Sequence, residues 1–339
     1  MDTADTKKVK PVENLRNALV RSIDRFLIPE RQWNYNTAFG RQSLEANTTG
    51  TYNTASGRQS LQSNTTGNSN TANGAQSLAS NTTGNYNTAT GRQSLYSNTT
   101  GDYNNATGEL SLNANTTGGN NTATGAGSLE FSTTSSYNTA TGASSLASNT
   151  TGSRNTATGA NSLHANTTGD DNVAIGYESL KASTTGIKNV AIGNYSMDAL
   201  TTGSENTGLG YSVLGANTTG TRNIALGSGA LDAPDTENDN IAIGYDALGG
   251  SIAGGEYNVA VGNYSMDALT SGDKNTGVGY NTLTSNEDGE MNVAVGYEAL
   301  YTNTSGDYNT AVGHKALEHN TTASGNTATG YMSLLEVTT

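Results

Sequence analysis

Small and apolar residues recur along this chain at fixed places in a short unit. Asn87-Thr88-Ala89-Thr90-Gly91 shows it, with its run-on to Leu95 and to Asn98-Thr99-Thr100-Gly101. With the glycine that closes Asn-x-Ala-x-Gly as origin, the unit repeats from Gly40 to Gly330 in sixteen steps of 17 residues and one of 18. So short a period leaves no room for two helices per unit, and glycine with β-branched Thr, Val and Ile favours short strands. The pattern predicts an all-β fold, a parallel β-solenoid or β-roll of about 18 coils over residues 35–339.

Each slot has a physical reading. Asn stands four residues before the glycine in every unit, as at Asn36, Asn87, Asn172, Asn258 and Asn309, and predicts a structural turn ladder. Asn also tolerates the left-handed backbone region, which suits it to the turn itself. Ala stands two before the glycine, as Ala89 and Ala174, and gives way only to Gly208 and Gly277, so that slot faces a tight space. Leu stands four after it, as at Leu44, Leu95, Leu180 and Leu300, or Met at Met197 and Met266. Ala and Leu together predict a thin apolar interior, with Asn-Thr-Thr-Gly as the far turn.

Strand side chains alternate, so the residues flanking the tight Ala point outward. Up to Thr158 they are mostly Thr, as in Thr88 and Thr90. From Val173 and Ile175 onward most are apolar: Val190 with Ile192, Ile241 with Ile243, Val259 with Val261, Val293 with Val295. A row of Val and Ile on the outside of a thin solenoid predicts burial against neighbouring copies, most simply around a threefold axis. At one coil per strand spacing the rod would be on the order of 85 Å long.

Residues 1–34 follow a different rule. Val12, Leu15, Leu19, Ile23 and Phe26 fall three or four apart and line one stripe of an amphipathic helix over about 12–27. Pro11 and Glu13 suit its start and Pro29 its end. A lone helix of this length is marginal in water, so its stripe is expected to dock or to trimerise, the alternative being a plain cap on the solenoid end.

Charge and composition narrow the function. There are 42 Gly, 3 Phe and no Cys, so stability must come from stacking rather than from a large aromatic core or disulfides. The formal charge is −13; residues 1–34 hold 7 basic and 5 acidic side chains, which leaves 9 basic and 24 acidic in the array. An acidic rod is a poor sleeve for nucleic acid or an anionic membrane surface. No apolar run of membrane-spanning length occurs, and Met1 to Lys10 lacks a secretory pattern, which predicts synthesis in the cytosol and no membrane insertion.

No catalytic residue, cofactor or metal site is assigned. His164, His314 and His319 have no metal-ligand spacing, and the Gly-rich units are not phosphate-cradling loops. Asp232, Asp235, Glu237 and Asp239 fit a solvated bulge better than a calcium loop. Tyr52, Tyr86, Tyr103 and Tyr137 predict either a stabilising ladder or a surface for sugar rings.

Two stretches carry a family resemblance. Asn172-Val173-Ala174-Ile175-Gly176 resembles the Asn-Ser-Val-Ala-Ile-Gly repeat of YadA-like trimeric adhesin heads, and Gly296 to Gly306 resembles repeats of bacteriophage tail fibres. The resemblance covers about residues 36–334 and implies a left-handed parallel β-roll in a homotrimer. It also implies a structural fibre or adhesin, made in the cytosol and built into a virion tail or phage-tail-like contractile particle. Residues 1–34 would dock it to a baseplate or tail protein, and its distal end would meet a cell-surface receptor, a glycan being one class. Such fibres often end in a self-cleaving chaperone; the short tail after Gly330 predicts a tip, chaperone or partner on the last coil. The alternatives are an ice-binding solenoid using Thr88-x-Thr90, Thr122-x-Thr124, Thr139-x-Thr141 and Thr156-x-Thr158, and a surface adhesin stalk.

Overall fold

A computed structural model describes residues 34–232, 236–250 and 254–337. The chain divides into two compact units, Met1–Tyr35 and Asn36–Thr339, and the second is the repeat array. The amphipathic helix expected at Val12, Leu15, Leu19, Ile23 and Phe26 lies outside the described residues.

The array is an all-β parallel solenoid. Each coil gives one three-residue strand, from β1 (Thr37–Phe39) to β18 (Thr327–Thr329), and consecutive strands pair in parallel to make one 18-stranded sheet. The register follows the repeat: Ala89 stands opposite Ala106, and the 18-residue step is absorbed outside the sheet, so that Ala242 still faces Ala260. The rest of each coil is turn, yet its backbone remains bonded from coil to coil. Leu95 N–H donates to Ser111 O at 2.9 Å, Ser97 N–H to Asn113 O at 3.0 Å and Thr99 N–H to Thr116 O at 2.9 Å.

Three positions per coil, most of them not glycine, take left-handed backbone angles, as at Gln93 (φ 57°), Leu95 (φ 50°) and Tyr103 (φ 58°). Each costs about 1–2 kcal/mol in an isolated chain, so the coil conformation is held by its neighbours. The Asn slot is not among them. The left-handed residue is the one before it, such as Tyr86 before Asn87, so Asn is selected for its side chain and not for its φ. Glycine at the origin is required twice over: Gly91 has φ 127°, and a Cβ there would stand 2.6 Å from Gly108 O.

The interior is a stack of Ala and Leu, with Ala89, Leu95, Ala174, Leu180 and Leu300 fully buried. A buried leucine contributes about 2 kcal/mol by removal from water. The exceptions to both slots are coupled. Met197 and Met266 fill the Leu slot, and in the following coils Gly208 and Gly277 fill the Ala slot. A Cβ on Gly208 would meet Met197 Cε at 2.8 Å, and one on Gly277 would meet Met266 Cε at 3.0 Å. The longer side chain takes up the space that the methyl would have filled.

Candidate interaction surface

The asparagine slot is built first, because it fixes the orientation of all that points outward. Along the array each Asn Oδ1 accepts the backbone N–H of the Asn one coil on: Asn53 to Asn36 at 2.8 Å, Asn87 to Asn70 at 2.9 Å, Asn189 to Asn172 at 3.0 Å, Asn275 to Asn258 at 2.9 Å. Asn309 receives Asn326 N–H at 2.9 Å and ends the row. The amide nitrogen meanwhile donates across its own coil, as Asn87 Nδ2 to Gly101 O at 2.8 Å and Asn172 Nδ2 to Gly186 O at 2.8 Å. Away from the two end coils these bonds are buried, and there each Asn closes its coil as well as linking it to the next.

A second ladder lies in the Asn-Thr-Thr-Gly turn, where Asn64 Nδ2 donates to Asn47 Oδ1 at 2.8 Å and to Gly67 O at 3.0 Å. The residue after that turn's glycine forms a third row, in which side-chain oxygens accept neighbouring N–H groups. Asn85 Oδ1 accepts from Asn68 at 2.9 Å and Asp307 Oδ1 from Glu290 at 2.8 Å. The recurrence of Asn, Asp, Ser and Thr at that slot was the available sequence signal for it.

With the interior so fixed, the strands present two outward rows. In β4 (Thr88–Thr90) both threonines are half-buried around buried Ala89, and no bond among the described residues engages their hydroxyls. In β9 (Val173–Ile175) Val173 is half-buried and Ile175 is 38 % exposed. Val190, Ile192, Val293 and Val295 are half-buried, each on the same face. The sheet brings Val173, Val190 and Thr207 into one row and Ile175, Ile192 and Leu209 into the next.

Beside that face lies a row not foreseen from the sequence. Just after the origin glycine, the first coils carry glutamines, with Gln59 Nε2 on Gln42 Oε1 at 3.4 Å and Gln93 Nε2 on Gln76 Oε1 at 3.3 Å. From Tyr177 the same place carries aromatic rings. Tyr177, Tyr195 and Tyr211 meet edge to face at 5.5 and 5.9 Å between centroids. A second run goes Tyr245, Tyr264 and Tyr280 edge to face, then Tyr297, His314 and Tyr331 stacked at 5.5, 5.0 and 5.2 Å. Ser228 and Gly229 occupy the interval between the runs. The signal was present as Gly-Tyr or Gly-Asn-Tyr, visible once the coil is numbered from its glycine. Ring faces engaged with one another leave mainly edges outward, an unfavourable platform for sugar stacking.

The edge before the Asn slot is the third outward row. It carries Tyr86 and Tyr103, stacked at 4.9 Å, and further on an alternation of charge. Arg154 pairs with Asp171 at 2.6 Å, Lys188 with Glu205 at 3.3 Å and Arg222 with Asp239 at 2.7 Å. The guanidiniums hold the carboxyls of Asp171 and Asp239 below the usual range. Such exposed pairs contribute little energy but set which coil faces which.

Chemistry outside these rows is sparse. Among the described residues no group of three or more His, Asp or Glu is placed to hold a metal ion. One member of the acidic segment is built into the coil, and another is paired at the surface. Glu237 is buried and accepts Gly254 N–H at 2.7 Å, and Asp239 pairs with Arg222. Burial pushes up the carboxyls of Asp198, Asp232 and Asp267. His164 Nδ1 lies 3.1 Å from Ser144 O, and His319 is exposed. No helix among the described residues is long and apolar enough to cross a membrane. Comparison with protein-family models, curated proteins and solved structures found no match.

Proposed function

We propose that the array is the structural, non-enzymatic rod of a fibre or adhesin in a phage tail or phage-tail-like contractile particle. Residues 1–34 would dock it to a baseplate or tail protein, and the distal coils would reach a cell-surface receptor, glycan being one class. The copies would pack as a homotrimer through Val173, Ile175, Val190, Ile192, Val293 and Val295, with the tyrosine row at the rim. The observation that carries this reading is the asparagine ladder, which passes without a break from Asn36 to Asn326. Unbroken bonding of this kind from coil to coil makes the array stiff along its axis. The test is electron microscopy of the purified chain with its mass in solution. Elongated particles of three chains are expected, and a monodisperse single chain would overturn the trimer.

A second reading has its own support. The paired rows Thr88/Thr90, Thr122/Thr124, Thr139/Thr141 and Thr156/Thr158 present unengaged hydroxyls on an in-register parallel sheet, as an ice-binding face would. Ser56, Asn73 and Asn105 interrupt the rows, and the second half of the sheet is aliphatic. Thermal hysteresis of the intact protein decides this reading, and a value at the buffer baseline removes it.

A further inference from the structure

We infer that Tyr86 and Tyr103 form a site of oxidative coupling, where a dityrosine bond can join two adjacent coils. Both rings are well exposed, at 54 % and 57 %, and face one another with centroids 4.9 Å apart and planes within 6°. They share one slot in successive coils, and the backbone beneath them is held by hydrogen bonds. Tyr103 N–H donates to Asn85 O at 3.0 Å and Tyr86 N–H to Asn68 O at 3.0 Å. The encounter that normally limits coupling of two phenoxyl radicals is therefore already made.

Tyr137, Tyr257 and Tyr308 of that slot lack such a neighbour. Asn120 separates Tyr137 from Tyr103, Asp239 and Lys274 flank Tyr257, and Met291 and Gly325 flank Tyr308. In the row after the origin glycine most neighbouring tyrosines meet edge to face, as Tyr177 with Tyr195 at 83°. Tyr280 and Tyr297 are stacked, but at 5.5 Å, and Tyr297 also stacks on His314.

The co-reactant is a one-electron oxidant of the peroxidase and hydrogen peroxide class. Each phenol gives it one electron and its hydroxyl proton, leaving two phenoxyl radicals. A carbon ortho to each oxygen then forms the new carbon–carbon bond. The hydrogen on each of those carbons moves to the phenoxyl oxygen as the rings regain aromaticity. One peroxide takes up the two electrons and two protons and becomes two waters. The product is a covalent rung between the fourth and fifth coils, added to the hydrogen bonds and the buried Ala and Leu stack that already hold them.

The test exposes the intact protein to a haem peroxidase with limiting hydrogen peroxide, followed by denaturation, tryptic digestion and mass spectrometry. Cleavage after Arg58, Arg92 and Arg154 puts the two tyrosines on different peptides, 59–92 and 93–154. The expected result is these peptides joined within one chain, lighter by two hydrogens, with the fragments placing the bond at Tyr86 and Tyr103. Its yield should exceed that of coupling through Tyr137, Tyr257 or Tyr308 by about tenfold. Tyr103→Phe should abolish the product, and Tyr137→Phe should leave it unchanged. Coupling spread evenly over Tyr103, Tyr137, Tyr257 and Tyr308, coupling only between chains, or no coupling at all would overturn the inference.

Discussion

The first eight coils and the last ten share one interior and differ in what they show to solvent. In β4 and β9 alike an alanine is buried at the strand centre, and the same asparagine ladder runs behind both. Outward, Thr88 and Thr90 give way to Val173 and Ile175, and the glutamine row of Gln42 to Gln93 gives way to Tyr177, Tyr195 and Tyr211. A coil of this kind separates the residues that make it a coil from those that give it a surface. The surface can then change without cost to the fold, because alternation along the strand sends the two sets of side chains to opposite sides.

That separation can be broken experimentally, beginning inside. Asn121→Ala in the first half and Asn189→Ala in the second each leave a buried N–H and a buried carbonyl without partners. Each should cost about 3 kcal/mol in denaturant unfolding. Unequal losses would show that the two interiors are not the same. Gly208→Ala should cost about 2 kcal/mol through overpacking on Met197, and Met197→Leu in the same chain should recover most of it. A loss that persists in the double variant would disprove the coupling.

Outside, the halves should diverge. Val293→Asp should weaken association at least tenfold, about 1.4 kcal/mol, in sedimentation equilibrium, and Thr122→Asp should leave it unchanged. Equal effects would remove the distinction between the faces. The smallest effect is electrostatic. Burial raises the Asp232 carboxyl pKa in the folded chain, so its charged form opposes folding at neutral pH, and that penalty fades as pH falls through the folded pKa toward the unfolded one. Asp232→Asn, which keeps an oxygen for the Gly215 N–H, should stabilise by about 0.5 kcal/mol at pH 7 and by nothing once Asp232 is protonated.

The regular parts of the molecule were legible in the sequence because the repeat shows eighteen versions of each slot. Ala89 and Leu95 as interior, and Val173 with Ile175 as an outward pair, follow from period and alternation alone. The tyrosine row was not found this way. Tyr177 stands directly after its glycine but Tyr195 stands two after, and only the fold shows that both offsets bring a ring to one line. The charge alternation of Arg154, Asp171, Lys188 and Glu205 was missed for a related reason, since it repeats every second coil and looks like scatter within a single one. The left-handed leucines could not have been foreseen from propensity, because a γ-branched residue takes φ near 50° only when the next coil holds it there.

Those leucines bear on how the rod comes to exist. A coil such as the one containing Gln93, Leu95 and Tyr103 is not a stable shape for its own sequence, so no single unit can serve as a seed. Assembly must wait for several coils to form together and then proceed by addition at an existing end, as a crystal grows from a face. Loss should follow the same route in reverse. A protease would erode the array from its ends, and an interior coil would survive as long as a neighbour on each side still holds its backbone in the mirror-handed well.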